Sequence, residues 1–252
     1  MDNQHTLIEY DGKDTCNKKV IYDIGSNNGD DIPYYLMKCD KVVAVEANPL
    51  LSDVIKSRFA EEINNGKVVV ESCVITDNPD LGEVNFYIHK HNHVLSQFPS
   101  PLSDQLTEFD VVKLPSASIL DIINRHGTPY YIKMDVEQYE VPLLKTLFTN
   151  NIRPPYISAE SHSWEVFETI VNKGGYKRLK LVTGWSVCDV YKNRLIEHHI
   201  TKNFMPYSFP HHSSGPFGND VDGNWLNIID FCNLLLAENV GWKDIHATNI
   251  EI

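Results

Sequence analysis

Residues 20–49 read VIYDIGSNNGDDIPYYLMKCDKVVAVEANP, and the reading of this stretch decides the fold. Val20, Ile21, Tyr22 and Ile24 have the β-branched and aromatic character of a buried strand. Gly25 and Gly29 follow in the pattern Asp23-x-Gly25-x-x-x-Gly29, which suits a tight strand-to-helix turn without the Cβ atoms that would keep a small molecule away. A second apolar run, Lys41 to Val45, then delivers Glu46 to the same sheet edge. A glycine turn with an acid one strand later is how an open α/β sheet cradles a nucleoside, the carboxylate accepting hydrogen bonds from the ribose diol.

A dinucleotide site would show G-x-G-x-x-G, whereas this turn is D-x-G-x-x-x-G with Ser26 and Asn27 inside it. Asp23, Asp30 and Asp31 surround it with negative charge, which repels a pyrophosphate and suits the ammonium of an amino acid. S-adenosylmethionine is therefore the expected cofactor. An NAD-dependent oxidoreductase is the competing class and lacks its third glycine.

The chain has 252 residues, a length at which α/β folds are routinely one unit with a large core. Its net charge of −12 argues against nucleic acid, which needs a basic surface to release counterions. Five cysteines without C-x-x-C spacing fit reduced thiols and a cytoplasmic setting. No apolar run approaches the length of a membrane span, so no membrane partner is expected. Residues 1–17 are read as an arm or linker and 18–252 as the domain.

Along that domain, helices are expected over Asp30–Lys38, from Asn48-Pro49 to about Ala60, and over Ser116–His126 with Ser116 or Ser118 as cap. Val68–Val74 reads as the third strand, its end placing Cys73 and Val74 beside an adenine ring. Gly82–Lys90 alternates like a strand, and His89-x-His91-x-His93 would gather three imidazoles on one face if the strand continued. Val94–Pro115 reads as a long loop with a short strand at Val111–Leu114.

Two strands, Tyr130–Asp135 and Pro154–Glu160, both end in acid, and His162 follows two residues after Glu160. Carboxylates at parallel strand ends share the crevice of Gly25 and Glu46, although they also serve to cap helices. Trp164–Lys173 reads as a helix; Tyr176–Val182 and Ser186–Tyr191 read as a closing antiparallel pair. Residues 200–225 lack core periodicity and are rich in aromatic, His, Ser, Gly and Asn residues, so His212, Ser213 and Trp225 are expected to bind substrate. A helix from Trp225 to Ala237 and a tail fill 226–252.

DIGSNNGD, VVAVEANP, IKMDVEQYE and ISAESH, in that order from Val20 to His162, resemble the FkbM family of S-adenosylmethionine-dependent methyltransferases. The resemblance implies a Rossmann-like class I methyltransferase fold, a mostly parallel seven-stranded sheet with a reversed final hairpin. It also implies a cofactor loop of Asp23, Gly25, Ser26, Asn27 and Gly29, a ribose acid at Glu46 followed by Ala47, and Asp135 beside the cofactor. Gln138 stands where the family's D-V-E triplet is usually followed by glycine, and Ala47 where proline is common. Many members methylate hydroxyls of glycans or natural products. Ser213–Gly218 is similar to members linked to surface-glycan assembly, which implies a sugar or glycan acceptor and fusion to, or work alongside, glycosyltransferases.

A sugar hydroxyl needs a base near the methyl group. His162 is expected in that role, with Glu160 or Asp135 orienting it. The second option is Mg²⁺ held between Asp135 and Glu160. O-methylation of a small natural product and a catalytically idle glycan-binding module remain as alternatives to a glycan O-methyltransferase.

Overall fold

The computed structural model describes residues 18–251, so the arm expected at 1–17 lies outside the described residues. The cradle stretch folds as read: β1 (Val20–Ile24), α1 (Ile32–Lys38) and β2 (Lys41–Val45), with β1 buried along its whole length. Pro33 lies in the first turn of α1, where its missing N–H leaves no bond unmade. The next segment forms α2 (Pro49–Arg58), capped by the Asn48 side chain accepting from the Leu50 N–H, and a short α3 (Ala60–Asn64).

The expected third strand is two strands. β3 (Val68–Glu71) joins the main sheet beside β2, and β4 (Val74–Thr76) leaves it to pair with β6 (Phe109–Ser118), which also pairs antiparallel with β5 (Glu83–His89). β6 has ten residues where a loop with a short strand was expected, because β5 holds it in register from Glu83 opposite Pro115 to His89 opposite Phe109. Its mostly half-exposed residues gave no strong alternation to read. Ser118, not Ser116, then caps α4 (Ile119–His126), its hydroxyl accepting from the Asp121 N–H.

β7 (Pro129–Met134) and β8 (Tyr156–Ser161), joined by α5 (Glu140–Thr149), follow the reading closely, as does the helix that begins as α6 (Trp164–Glu168) and continues to Lys173. β9 (Arg178–Thr183) is the next strand, but Ser186–Tyr191 is not its partner; it forms a turn and α7 (Val187–Val190). Val187 and Tyr191 lie four residues apart and are both buried, a helical spacing inside a segment that reads as alternating. A separate hairpin of β10 (Arg194–Glu197) and β11 (Phe204–Tyr207) leads to α8 (Ile228–Glu238) and β12 (Gly241–Thr248). β12, expected as tail, runs antiparallel between β8 and β9. Asp244, His246 and Thr248 are buried on one of its faces and only Ile245 and Ala247 on the other, so the strand carries a weak hydrophobic signature.

The main sheet has the order β3-β2-β1-β7-β8-β12-β9, seven strands with β12 reversed, the class I methyltransferase arrangement. Alternate residues of β1 face opposite layers. Tyr22 and Ile24 join Leu143, Leu147 and Phe231 on one side, and Ile21 joins Ile32, Tyr35 and Ile55 on the other. Burial on both faces explains why β1 and β2 read as continuous apolar runs. Among the described residues, no helix is long and apolar enough to cross a membrane.

Candidate functional site

A cavity of about 670 Å³ opens where β1, β2, β7 and β8 end. Gly25, Asn27, Glu46, Ala47, Cys73 and Val74 line it, as do Asp135, Glu160 and His162 at its other end. The acids and histidine from separate stretches of sequence thus meet in one hollow.

Glu46 is buried and pinned: the Asn27 N–H donates to Oε2 and the Asn48 N–H to Oε1, each at 2.8 Å. Burial pushes its pKa up to about 7 against the pull of these two donors. Each oxygen retains a lone pair for a ligand hydroxyl. Asn27, at φ 50°, lines the cavity with a buried side-chain oxygen that accepts no hydrogen bond, a position suited to a ligand donor. These features fit the adenosine end of S-adenosylmethionine, with Leu51, Cys73, Val74 and Ile75 as an apolar wall.

Three expected cofactor residues act from beneath the turn. Asp23 is fully buried below it, 3.6 Å from Lys133 Nζ, and Ser26 donates its hydroxyl to the Asp23 carbonyl at 2.6 Å. Gly29 makes room for helix packing: a Cβ there would stand 2.9 Å from the Phe59 ring and 3.1 Å from Ile32. Lys133, not expected from the sequence, donates to the Gly25 carbonyl at 2.9 Å and lies 3.4 Å from Asp135 Oδ2. Burial disfavours its charge, but Asp135, Asp23, Asp31 and Asp244 hold its pKa above the usual lysine range.

At the far end, His162 Nε2 stands 2.8 Å from Glu160 Oε2 and 3.7 Å from both Glu137 Oε2 and Glu140 Oε1. Burial alone would lower its pKa. The Glu160 contact and the charges of Glu140 and Glu137 outweigh burial and push it up to about 9. These neighbours favour the protonated ring over the free imidazole base expected at neutral pH. Burial raises Glu137 to about 8 and Glu140 to about 7, in each case with neighbouring acids adding to the rise. Glu137 and Gln138 take φ of 48° and 75°. Gln138 therefore keeps the left-handed conformation of the glycine it replaces, and the turn folds Glu137 toward His162. Glu137, Glu160 and His162 are the group among the described residues whose donor atoms, all within 4.8 Å, could share one cation.

The imidazoles read as a metal motif do not gather. His89 Nδ1 accepts the backbone N–H of His91 and Asn92, which ends the strand in a turn, and His93 begins another. Of the expected substrate residues, His212 lines the cavity with His211, whereas Ser213 and Trp225 do not. Ser213 donates its hydroxyl to buried Asp31. Trp225 packs against Tyr156 and under the Lys180 ammonium, bordering a separate hollow. Residues 200–225 chiefly cover the sheet: Phe217 stacks on Tyr131 at 4.0 Å.

Phe86, Val94, Leu95 and Phe98 from the β5–β6 region roof the cavity with Tyr139, whose hydroxyl donates to Asp77 at 2.6 Å. Trp242 stands at its border, half-exposed, where the β8–β12 register shifts between Gly241 and Asp244. Its indole lies on Gly184, where a Cβ would come within 2.3 Å of Nε1. The aromatic residue itself is plain in the sequence, but its place became visible only with β12.

Among solved structures the chain is similar to a methyltransferase FkbM from Methylobacillus flagellatus KT (14% identity, TM-score 0.45), covering 66% of this chain and 40% of that one. It is also similar to a precorrin-6y C5,15-methyltransferase from Geobacter metallireducens GS-15 (11%, TM-score 0.38, 75% and 74%). A third likeness is to a SAM-dependent O-methyltransferase from Thermotoga maritima (9%, TM-score 0.36, 93% and 60%). These overlaps are too loose to carry an argument about function. The curated protein sequences give no match. Residues 23–181, from the acid of the cofactor turn into β9, match the profile of the Methyltransferase FkbM domain. That match spans more than half the sequence and both halves of the cavity, and the chain belongs to the FkbM methyltransferase family.

Proposed function

We propose that the chain is an S-adenosylmethionine-dependent O-methyltransferase acting on a sugar hydroxyl of a glycan. One observation carries the reading: a ribose-type carboxylate, Glu46, and a cluster of acids around His162 line the same cavity. Gly25, Asn27, Glu46 and Ala47 would hold the cofactor, with Cys73 and Val74 beside its base. When bound, it supplies a methyl group already activated on a sulfonium sulfur.

The chain's own task is to orient an acceptor hydroxyl and take its proton. Asp135, Glu137 and Glu160 offer carboxylates on one wall, close enough to Glu140 and His162 to exchange protons as one unit. His162 stands against these carboxylates, 2.8 Å from Glu160 and 3.7 Å from Glu137 and Glu140, and completes the unit. The apolar roof of Phe86, Val94, Leu95 and Phe98 would limit the water that reaches the acceptor. His211, His212 and Trp242 at the border offer ring nitrogens and a flat face to a polyol.

The test is transfer of labelled methyl from S-adenosylmethionine to a panel of tagged mono- and disaccharides, with the product solved by NMR. The reading requires an O-methyl sugar. A second reading, methylation of a small hydroxylated natural product, draws support from the apolar roof of Phe86, Leu95 and Phe98. Label appearing on hydroxyaromatic acceptors and on no saccharide would favour it.

A further inference from the structure

We infer that Glu137, Glu160 and His162 form a binding site for one divalent first-row transition ion, with Mn²⁺ the best match to the donors. The site stands whether or not the acceptor is a sugar.

The argument begins with distance. Donors about 2.1 Å from a common ion stand roughly 3 to 3.5 Å from one another. His162 Nε2 lies 2.8 Å from Glu160 Oε2 and 3.7 Å from Glu137 Oε2, and the three donors fall within 4.8 Å of one another. The two histidine–carboxylate separations lie on either side of that requirement.

A second, independent observation concerns direction. His162 Nε2 is wholly buried yet makes no aligned hydrogen bond, although Glu160 Oε2 is 2.8 Å away. The in-plane axis of that nitrogen, along which either its proton or its lone pair must point, misses the nearest oxygen. A buried ring nitrogen left in this state is costly unless something else occupies that axis. Carboxylates crowd around that nitrogen, with Glu137 Oε2 and Glu140 Oε1 each 3.7 Å from it.

The three ligands come from two places the fold fixes firmly. Glu160 lies within β8, and His162 follows it directly. Glu137 is delivered by a turn whose two successive left-handed residues reverse the chain after Asp135. Glu140 is anchored instead by the Val136 N–H, which donates to Oε1 at 3.0 Å, so it borders the site without completing it.

Ligand chemistry selects the ion. An imidazole nitrogen with two carboxylates is poorly suited to Mg²⁺, which takes oxygen almost exclusively, and the excess of hard carboxylate oxygen over imidazole weights the set toward Mn²⁺. Binding displaces the imidazole proton, as histidine ligation requires. The set also differs from the Asp135–Glu160 pair expected from sequence. Asp135 stays outside it, the carboxylate left to receive an acceptor's proton.

Mn²⁺ titrated into the whole chain, saturated with S-adenosylhomocysteine, can be followed by loss of the free-ion paramagnetic resonance signal. The expected result is one ion per chain, weakened at least about tenfold in both Glu137→Gln and His162→Ala. Both variants should keep their S-adenosylhomocysteine affinity and melting temperature. Absence of saturable binding to the unaltered chain would overturn the site. So would equal Mn²⁺ affinity in Glu137→Gln, or loss of S-adenosylhomocysteine binding in step with the loss of Mn²⁺.

Discussion

Gly25 lies so close to Asp135 that a Cβ on it would stand 1.7 Å from the Asp135 carbonyl oxygen. The first strand's turn and the seventh strand's end are thus in backbone contact, at φ +78° for the glycine. Gly25→Ala must separate β1 from β7 or strain the turn, and the obstacle is backbone that cannot swing aside. We expect a loss of about 2 kcal/mol or more in stability, together with weakened S-adenosylhomocysteine binding. Chemical denaturation and calorimetry of the variant check both.

Glu46→Ala removes the acceptor of two backbone N–H groups as well as the ribose contact. Hydrogen bonds to a charged group contribute about 1.5–3 kcal/mol, so S-adenosylhomocysteine affinity should fall roughly ten- to a hundredfold. Calorimetry that finds unchanged affinity in a folded variant would remove Glu46 from the cofactor site.

Trp242 is held on Gly184 at the cavity border. Gly184→Ala should displace the indole and Trp242→Ala should remove it, so both raise KM for the acceptor while leaving S-adenosylmethionine affinity intact. Trp242→Phe should restore most of the loss, which steady-state kinetics on the identified acceptor would reveal.

His246 is fully buried on β12, opposite Ser158 of β8 and Lys180 of β9. Burial and then the Lys180 charge lower its pKa to about 3, well below the value of about 6.5 for an unfolded chain. Between these values the unfolded state binds the extra proton, so this group's contribution is intact above about pH 6.5 and declines as pH falls toward 3. Asp31 and Glu46, both raised to about 7, act in the opposite direction over the neutral range, so the comparison must be made between variants. His246→Gln should lose less stability than the unaltered chain between pH 6 and pH 4, measured by urea denaturation.

Gln138 occupies a left-handed conformation at φ 75°. Gln138→Gly relieves about 1 kcal/mol of that strain and should raise the melting temperature. Scanning calorimetry showing a lower melting temperature would mean that the Gln138 side chain contributes more than its backbone costs.

The parts legible in sequence were those whose chemistry is local. β1 to β2 announced itself because both strands are covered on two faces and read as unbroken apolar runs, and Glu46 sits one residue past the second. Asp135 and Glu160 were found for the same reason, at the ends of apolar strands. β12 was missed because one of its two buried faces is the polar Asp244, His246 and Thr248, leaving Ile245 and Ala247 as its buried apolar residues. The protonation of His162 was also beyond reading, since Glu137 and Glu140 reach it only through a turn built from two non-glycine residues. Ser213 and Trp225 misled because polar and aromatic residues that cover a sheet have the same composition as those that meet a sugar.

The position of β12 between β8 and β9 has a consequence for biosynthesis. A nascent chain halted before residue 241 leaves β8 with one bare side and β9 without a partner strand in the sheet, each a template for another polypeptide. The sheet can be sealed only after β12 has left the ribosome, so ribosome-bound intermediates of this protein should depend on chaperones until that strand emerges.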